Sequence, residues 1–334
     1  MNETTRQRLF AISGAFDHPV TVGITVGLVV VLTVASVVIR VLQKSGRLSP
    51  EMSRELVQRT RSWFIVTPAL VVPVLLGACW TMVGIGILSL ICLREFARAT
   101  GFFRYRSLHV IVMLGILAVT YAVLDDWYGL FTALSTLVVI LIVPVAIIAD
   151  QPMGYIQRVA LGIFGFVFFG TCLGHLGYMA NHADFRPIIL MLFLTVELND
   201  VFAFLSGKLI GGRKFLPNTS PNKTLGGALG ALVLTTILAA TLGHFVFKGG
   251  ALDTPFFLIG LGLIISVAGQ VGDLMMSSIK RDLKVKDLGA SIPGHGGFLD
   301  RFDSLILVAP AVFHYVNYFG RPGFDQASRF FTGP

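Results

Sequence analysis

The chain has 334 residues, is 54% hydrophobic and 13% charged, and carries a formal net charge of +8. With a mean hydropathy of +0.79, a soluble domain of this length could not hide so much apolar surface, which leaves an all-α polytopic membrane protein. The bases sit in short loops between apolar runs, as membrane topology produces, so nucleic acid is not an expected partner.

Apolar runs long enough to span lie near residues 19–41, 63–93, 107–124, 130–149, 159–180, 187–207, 225–247, 255–277 and 304–319. Val20 to Ile39 is too long for a signal h-region and runs into Arg40 without a small-residue cleavage site, so no cleaved leader is expected. The 63–93 run is too long for one upright helix and contains Pro68, Pro73 and Gly77. It therefore reads as a hairpin of two spans or as one broken helix, giving nine to ten transmembrane helices.

Charge decides for the hairpin. Segment 40–62 carries Arg40, Lys44, Arg47, Arg54, Arg59 and Arg61, and segment 94–106 carries Arg94, Arg98, Arg104 and Arg106. Both belong on the cytoplasmic side, which requires an even number of crossings between them. The same alternation places 150–158, 206–224 and 278–303 inside as well. Arg186 and Lys248 are then the only bases in outer loops, with two more in each tail (Arg6, Arg8, Arg321, Arg329).

Within 42–62, Ser49-Pro50-Glu51 is a helix-start signal, so the stretch is either a short interfacial helix or a plain basic linker. Glu95, at a membrane boundary beside Arg94, reads by default as half of a structural ion pair. His175 and His244, alone in apolar runs, read as hydrogen-bonded helix–helix contacts. Gly170-x-x-x-Gly174 and Gly226-x-x-x-Gly230 read as close-packing faces. Cys79, Cys92 and Cys172 all lie in apolar runs without metal-ligand spacing and read as small packing residues.

Two stretches carry chemistry. The span 187–207 is interrupted by Glu197-Leu198-Asn199-Asp200, and acids there are costly unless they face a wet cavity or each other. The loop after it brings Gly207-Lys208, Gly211-Gly212-Arg213-Lys214 and Ser220-Pro221-Asn222-Lys223-Thr224. Ser220 or Thr224 can cap the next helix, whose free N–H groups beside Lys223 would receive phosphate. The second stretch, Gly272 to Asp303, is dense in charge between two apolar runs. If its first part is helical, Asp273, Ser277, Lys280 and Arg281 share one polar face. Pro293-Gly294-His295-Gly296-Gly297 follows as a stiff turn with little steric bulk, and then Asp300-Arg301-Phe302-Asp303. Carboxylates for a hard divalent cation, bases for phosphate and glycines for close backbone approach belong together chemically.

The string from Ser277 through Ile279-Lys280-Arg281, Lys286-Asp287, Gly289, Ile292-Pro293 and His295-Gly296-Gly297-Phe298 to Asp300-Arg301-Phe302-Asp303 resembles the signature of the phosphatidate cytidylyltransferase (CDP-diacylglycerol synthase) family. Asp200, Ala203, Phe204, Gly207, Lys208, Ser220, Pro221, Lys223 and Thr224 resemble a second block of that family. The chain departs from it at Gly226, where the family has Glu, and at Phe204, where Tyr is common. The resemblance covers roughly residues 187–320; further upstream it extends only to Arg94-Glu95-Phe96 and general hydrophobicity.

The resemblance implies CTP-dependent cytidylyl transfer to phosphatidate at a cytoplasm-facing site of an inner-membrane protein, with CTP, phosphatidate and membrane lipid as partners and a homodimer as the oligomeric option. It implies Mg²⁺, optionally with a second cation, on Asp273 and Asp300, with Asp303 and Asp200 as further acids. Lys280, Arg281, Lys223 and Arg301 are the phosphate-binding candidates. Ser220, Thr224 and Ser277 stand by as polar contacts, Gly296 and Gly297 as points of close approach, and His295 to orient a phosphate or ligand. The chain divides into N-terminal helices with a basic linker (1–106), central helices (107–186), the catalytic membrane region (187–320) and a tail (321–334). Two other readings compete: an ion-coupled transporter using Glu197 and Asp200, and a paralogue of altered activity suggested by Gly226.

Overall fold

The computed structural model describes residues 9–47, 49–292, 294, 296–320, 329, 331 and 332. The described chain is a bundle of ten long helices: α1 (Pro19–Lys44), α2 (Pro50–Leu76), α3 (Ala78–Thr100), α4 (Arg106–Leu124), α5 (Tyr128–Ile148), α6 (Tyr155–Asn181), α7 (Phe185–Leu209), α8 (Leu225–Val246), α9 (Pro255–Asp282) and α10 (Leu299–Gly320). Among the described residues, α1 to α9 are long and apolar enough to cross a membrane. The tenth, of 22 residues, has Asp300, Arg301 and Asp303 in its first turns.

The long apolar run at 63–93 is a hairpin, as charge required. It turns at Gly77, whose φ of 130° suits glycine and whose added Cβ would stand 2.8 Å from the Leu9 carbonyl oxygen. Pro73, one turn earlier, leaves its carbonyl to accept the Gly77 N–H at 3.3 Å and the Thr81 hydroxyl at 3.2 Å. Residues 50–62 are neither a separate interfacial helix nor a linker. They form the first turns of α2, with the Ser49 hydroxyl accepting the Met52 N–H at 3.2 Å. Nothing in 50–62 breaks the helix, so the helical register set at Ser49 runs into the apolar span.

Helices α7, α8, α9 and α10 pack in succession, and α3, α4, α6 and α10 enclose an aromatic core of Phe96, Phe102, Phe131, Phe166, Phe169, Tyr178 and Phe313. Midway along α6 the backbone widens to a π-helix over Phe166–Cys172. A Cβ on Gly170 would lie 3.4 Å from Ile116 of α4, and one on Gly174 2.8 Å from Val119 of the same helix, so the glycine face is a packing face as its spacing predicts. His175 donates from Nδ1 to the Thr171 carbonyl of its own helix (2.8 Å) and meets Phe131 and Phe313 edge-on and His314 at a tilt. His244 departs from expectation: it leaves the helix interface and meets Asp253 in the following loop at 2.6 Å. Asp253 also accepts the Gly249 N–H, and these contacts hold its carboxyl below its usual value.

Every basic segment lies at one end of the bundle. There the side chains of Gln43 and Ser53 join (2.6 Å), Arg158 lies over the Tyr105 ring, Arg281 donates to the Thr219 carbonyl (3.2 Å), and Gly294 lies against Gln58. At the opposite end Arg186 donates to the carbonyls of Val74 and Gly14, and Asn181 to that of Val123. The alternation derived from charge is therefore the connectivity of the bundle.

Candidate active site

The two charge-bearing stretches meet at the basic end. α9 continues without a break from its apolar part to Asp282, so Asp273, Ser277, Lys280 and Arg281 do share one helix. Asp273 pairs with Lys223, reaching across from the loop before α8, and the Ser277 hydroxyl lies 3.5 Å from Asp273 Oδ1. Lys280 Nζ lies 3.1 Å from Asp300 Oδ1 and 3.9 Å from Asp303 Oδ2. Asp200 stands within electrostatic range of Asp273, Lys223, Arg301 and Lys280, and Glu197 within range of Asp200 and Arg301. Asp303 feels Asp273 and Asp200 in turn. Asp200, Asp273, Lys223, Lys280, Arg301 and Asp303 are thus one cluster.

Asp300 is held differently. It is 7% exposed, and its Oδ2 accepts the N–H groups of Leu288 (2.9 Å), Gly297 (3.0 Å) and Gly289 (3.4 Å). This carboxylate folds the 283–298 loop around itself and leaves Oδ1, shared with Lys280, as its less engaged oxygen. Glu95 does the companion work. Instead of the expected ion pair, its buried carboxylate accepts the N–H groups of Leu299 (2.8 Å) and Phe298 (3.2 Å), where α10 begins. The signature glycines make room for these acids. A Cβ on Gly289 would lie 2.5 Å from the Glu95 carboxyl carbon, and one on Gly297 would overlap that carboxylate. Gly296, at φ 78°, would bring a Cβ to 3.0 Å from Asp300 Oδ2. Their close approach is to the chain's own carboxylates. Glu95 is the residue the sequence left outside the site; its spacing of about two hundred positions from α10 hid the contact. His295 and Pro293 lie outside the described residues.

The loop before α8 also corrects one expectation. Thr224 is the N-cap, its hydroxyl accepting the Gly227 N–H at 3.1 Å, while Ser220 closes the preceding turn by accepting the Lys223 N–H on its carbonyl (3.2 Å). The other first-turn donors are taken too: Leu225 N–H by the Arg213 carbonyl (2.9 Å) and Gly226 N–H by the Gly211 carbonyl (3.1 Å). The N–H groups of Leu225, Gly226 and Gly227 are thus all spent within the chain. Side-chain cations are the remaining donors of the cluster, and among the described residues Arg301 Nε is buried without an acceptor.

A family model described as the cytidylyltransferase family matches residues 57–319, which include both loops and Glu95. The chain belongs to the cytidylyltransferase family. An Escherichia coli (strain K12) protein titled "Uncharacterized protein YnbB" is 30% identical over 279 residues, covering 81% of this chain and 91% of that protein. A Staphylococcus aureus (strain COL) phosphatidate cytidylyltransferase is 41% identical over 138 residues, 41% of this chain and 52% of that enzyme. The Staphylococcus saprophyticus phosphatidate cytidylyltransferase is 38% identical over 155 residues, 44% of this chain and 58% of that enzyme. The chain thus spans little more than half the length of the staphylococcal enzymes it matches.

For a cytidylyltransferase, the donor set has the right character for a hard divalent cation. With all groups ionised, Glu197, Asp200, Asp273, Asp300 and Asp303 outnumber Lys223, Lys280 and Arg301 by two charges. Among the described residues no three acidic, His or Cys side chains converge as a ready cage. Mg²⁺ does not need one, since it characteristically takes one or two carboxylates and completes its shell with water and substrate phosphate.

Proposed function

We propose that the protein transfers the cytidylyl group of CTP to phosphatidate, forming CDP-diacylglycerol and pyrophosphate, at the cytoplasmic face of the inner membrane. The observation that carries this reading is the meeting of Lys223, from one family block, with Asp273, one helical turn before the other, inside one acid–base cluster. The basic end of the bundle faces the cytoplasm in this reading, by the positive-inside rule, and CTP reaches it from there.

A phosphate oxygen of phosphatidate attacks the α-phosphorus of CTP. The new P–O bond forms as the bond to the β-phosphate oxygen breaks, and pyrophosphate leaves with that electron pair. A phosphate monoester dianion is already a competent nucleophile, so the chain need only bring two anions together and stabilise charge. Lys223, Lys280 and Arg301 supply positive charge, and Arg281 locks α9 to the 206–224 loop through Thr219. Asp273 and Asp200 are the ligands we assign to Mg²⁺, which when bound would offset phosphate charge. Asp303 stands next to them, and Asp300 orders the loop. Asp200 is exposed, and along the same face of α7 come Phe204 and then Lys208, whose ammonium sits 4.3 Å from the Phe204 ring centre. An acid, an aromatic ring and a cation in a row at a lipid-facing edge suit sideways entry of a phospholipid head group.

The departure at Gly226 has a packing reason. A Cβ there would lie 2.5 Å from the Gly211 carbonyl oxygen and 2.9 Å from Ile210 Cγ2. The test is purified protein in detergent with labelled CTP, Mg²⁺ and phosphatidate, with other lipid phosphates in parallel. Equimolar CDP-diacylglycerol and pyrophosphate, lost with EDTA, are expected. Absence of a CDP-lipid from every acceptor would overturn the reading.

A further inference from the structure

A second basic site lies at the same end of the bundle, on the outer surface of α3 and α4. A cavity of about 360 Å³ is lined by Arg94, Ala97, Arg98, Phe103 and His109. Arg94 and Arg98 are one helical turn apart on the exposed face of α3, and Arg104 and Arg106 follow within a few residues. None of the four arginines has an acidic partner among the described residues. The nearest acid in sequence, Glu95, is turned inward to the start of α10. His109 Nδ1 is buried and has no hydrogen-bond partner. The cavity therefore offers two guanidinium groups and an imidazole nitrogen, all unspent, and no carboxylate in its lining.

What continues from the cavity is apolar. His109, Met113 and Leu117 succeed one another at four-residue spacing along α4, and Met113 and Leu117 are exposed, as are Val110 and Leu114 beside them. A track of this kind would lie against acyl chains while the arginines lie at head-group depth. Phe103, 49% exposed at the rim, completes an amphiphilic site. A free phosphate or nucleotide would use the arginines and leave the track idle; a phospholipid uses both.

We propose that the Arg94–Arg98–His109 cavity binds the phosphate head group of an anionic membrane phospholipid, with its acyl chains along Met113 and Leu117. The site is separate from the acid–base cluster, and the proposal does not depend on the reaction assigned there. Because Glu95 lies between Arg94 and Arg98 in sequence and holds the start of α10, lipid bound on the outer face of α3 would also steady the helix turn that carries Glu95.

The test uses the full chain, delipidated in neutral detergent, with thermal unfolding followed as lipid is added. Dioleoyl-phosphatidylglycerol should raise the midpoint saturably, while dioleoyl-phosphatidylcholine and inorganic phosphate at equal concentration should not. In Arg94→Gln/Arg98→Gln the phosphatidylglycerol needed for half-saturation should rise about thirtyfold, the effect of removing two basic residues at an anionic lipid surface. Both arginines are exposed, so the variant should fold; Met113→Ser, which interrupts the track, is the second variant and should weaken the lipid without touching charge. An equal response to phosphatidylcholine, a full response to inorganic phosphate alone, or an unchanged response in the double variant would each overturn the proposal.

Discussion

Glu95 offers a direct test of how the site is held. Its carboxylate accepts two N–H groups at the start of α10, and that turn carries Asp300, Arg301 and Asp303. Glu95→Ala strands two donors, at least one fully buried, each worth about 1–3 kcal/mol when left unpaired. It also removes a negative charge from a helix N-terminus, a further loss of about 1 kcal/mol. The expected cost is about 3 kcal/mol or more, visible in detergent as a fall in unfolding midpoint of about 5 °C or more. Glu95→Gln retains one acceptor and should lose roughly half as much. Gly297→Ala approaches the same contact from the other side, because its Cβ would overlap the Glu95 carboxylate. Removing that carboxylate relieves the clash, so Gly297→Ala should cost less in the Glu95→Ala background than in wild type. Turnover should drop in both single variants, measured at a temperature where each remains folded. A midpoint for Glu95→Ala within about 1 °C of wild type, or strict additivity with Gly297→Ala, would refute the reasoning.

The two acids named first for the metal should separate by phenotype. Asp273→Asn should lower turnover by about 10²-fold with an unchanged midpoint, whereas Asp300→Asn should lose activity and about 2 kcal/mol of stability together, since charge-assisted bonds to three N–H groups weaken; equal stability losses in the two would contradict the division. Gly226→Ala and Gly226→Glu should both destabilise, by about 1–3 kcal/mol for the smaller change, read as a lowered midpoint; a stable, fully active Gly226→Glu would show that the helix tolerates bulk there. Cysteines placed singly at Lys44, Arg104, Asn218 and Lys284 should react only from the cytoplasmic side, and those at Ala183 and Gly250 only from the other. Reaction of position 104 from outside would break the hairpin topology.

Much of the architecture could be read from residue pattern because membrane helices obey few rules. Pro68, Pro73 and Gly77 marked a turn, and arginines on both sides of it demanded an even number of crossings; the bundle turns at Gly77. Thr224 announced a cap and is one. What pattern did not reveal was which partner each polar group takes. Glu95 beside Arg94 looked like an ion pair because sequence displays neighbours, while its true partners are backbone groups of α10. Ser49 was legible as a helix start, but not that its helix would run through 62 into the membrane, since a basic amphipathic stretch and the cytoplasmic turns of a span have the same composition. The first turn of α8 looked ready for phosphate because its competitors, the Gly211 and Arg213 carbonyls, sit in a loop whose path no local pattern fixes.

These contacts give the site a consistent division of labour. Helix starts attract anions, and here both helix starts nearest the cluster are already occupied: α8 by its own loop and cap, α10 by Glu95 with Asp300 beside it. Glu95 is met by backbone N–H groups, and Asp300 by three of them at Oδ2 with Lys280 at Oδ1, so both carboxylates fix loop geometry and only Asp300 draws on a side-chain cation. Lys280 bridges Asp300 and the buried Asp303, while Lys223 answers to Asp273 with Asp200 and Arg301 nearby, and this accessible pair is exchangeable: an incoming phosphate can take the lysine from the carboxylate, and the freed carboxylate can turn to a divalent cation. A site built in this way needs glycine wherever a carboxylate must reach the backbone, which explains Gly289, Gly296 and Gly297 together. It also needs its acids to sit at two depths, the buried ones structural and the accessible ones chemical. Asp300 and Glu95 belong to the first kind, Asp200 and Asp273 to the second.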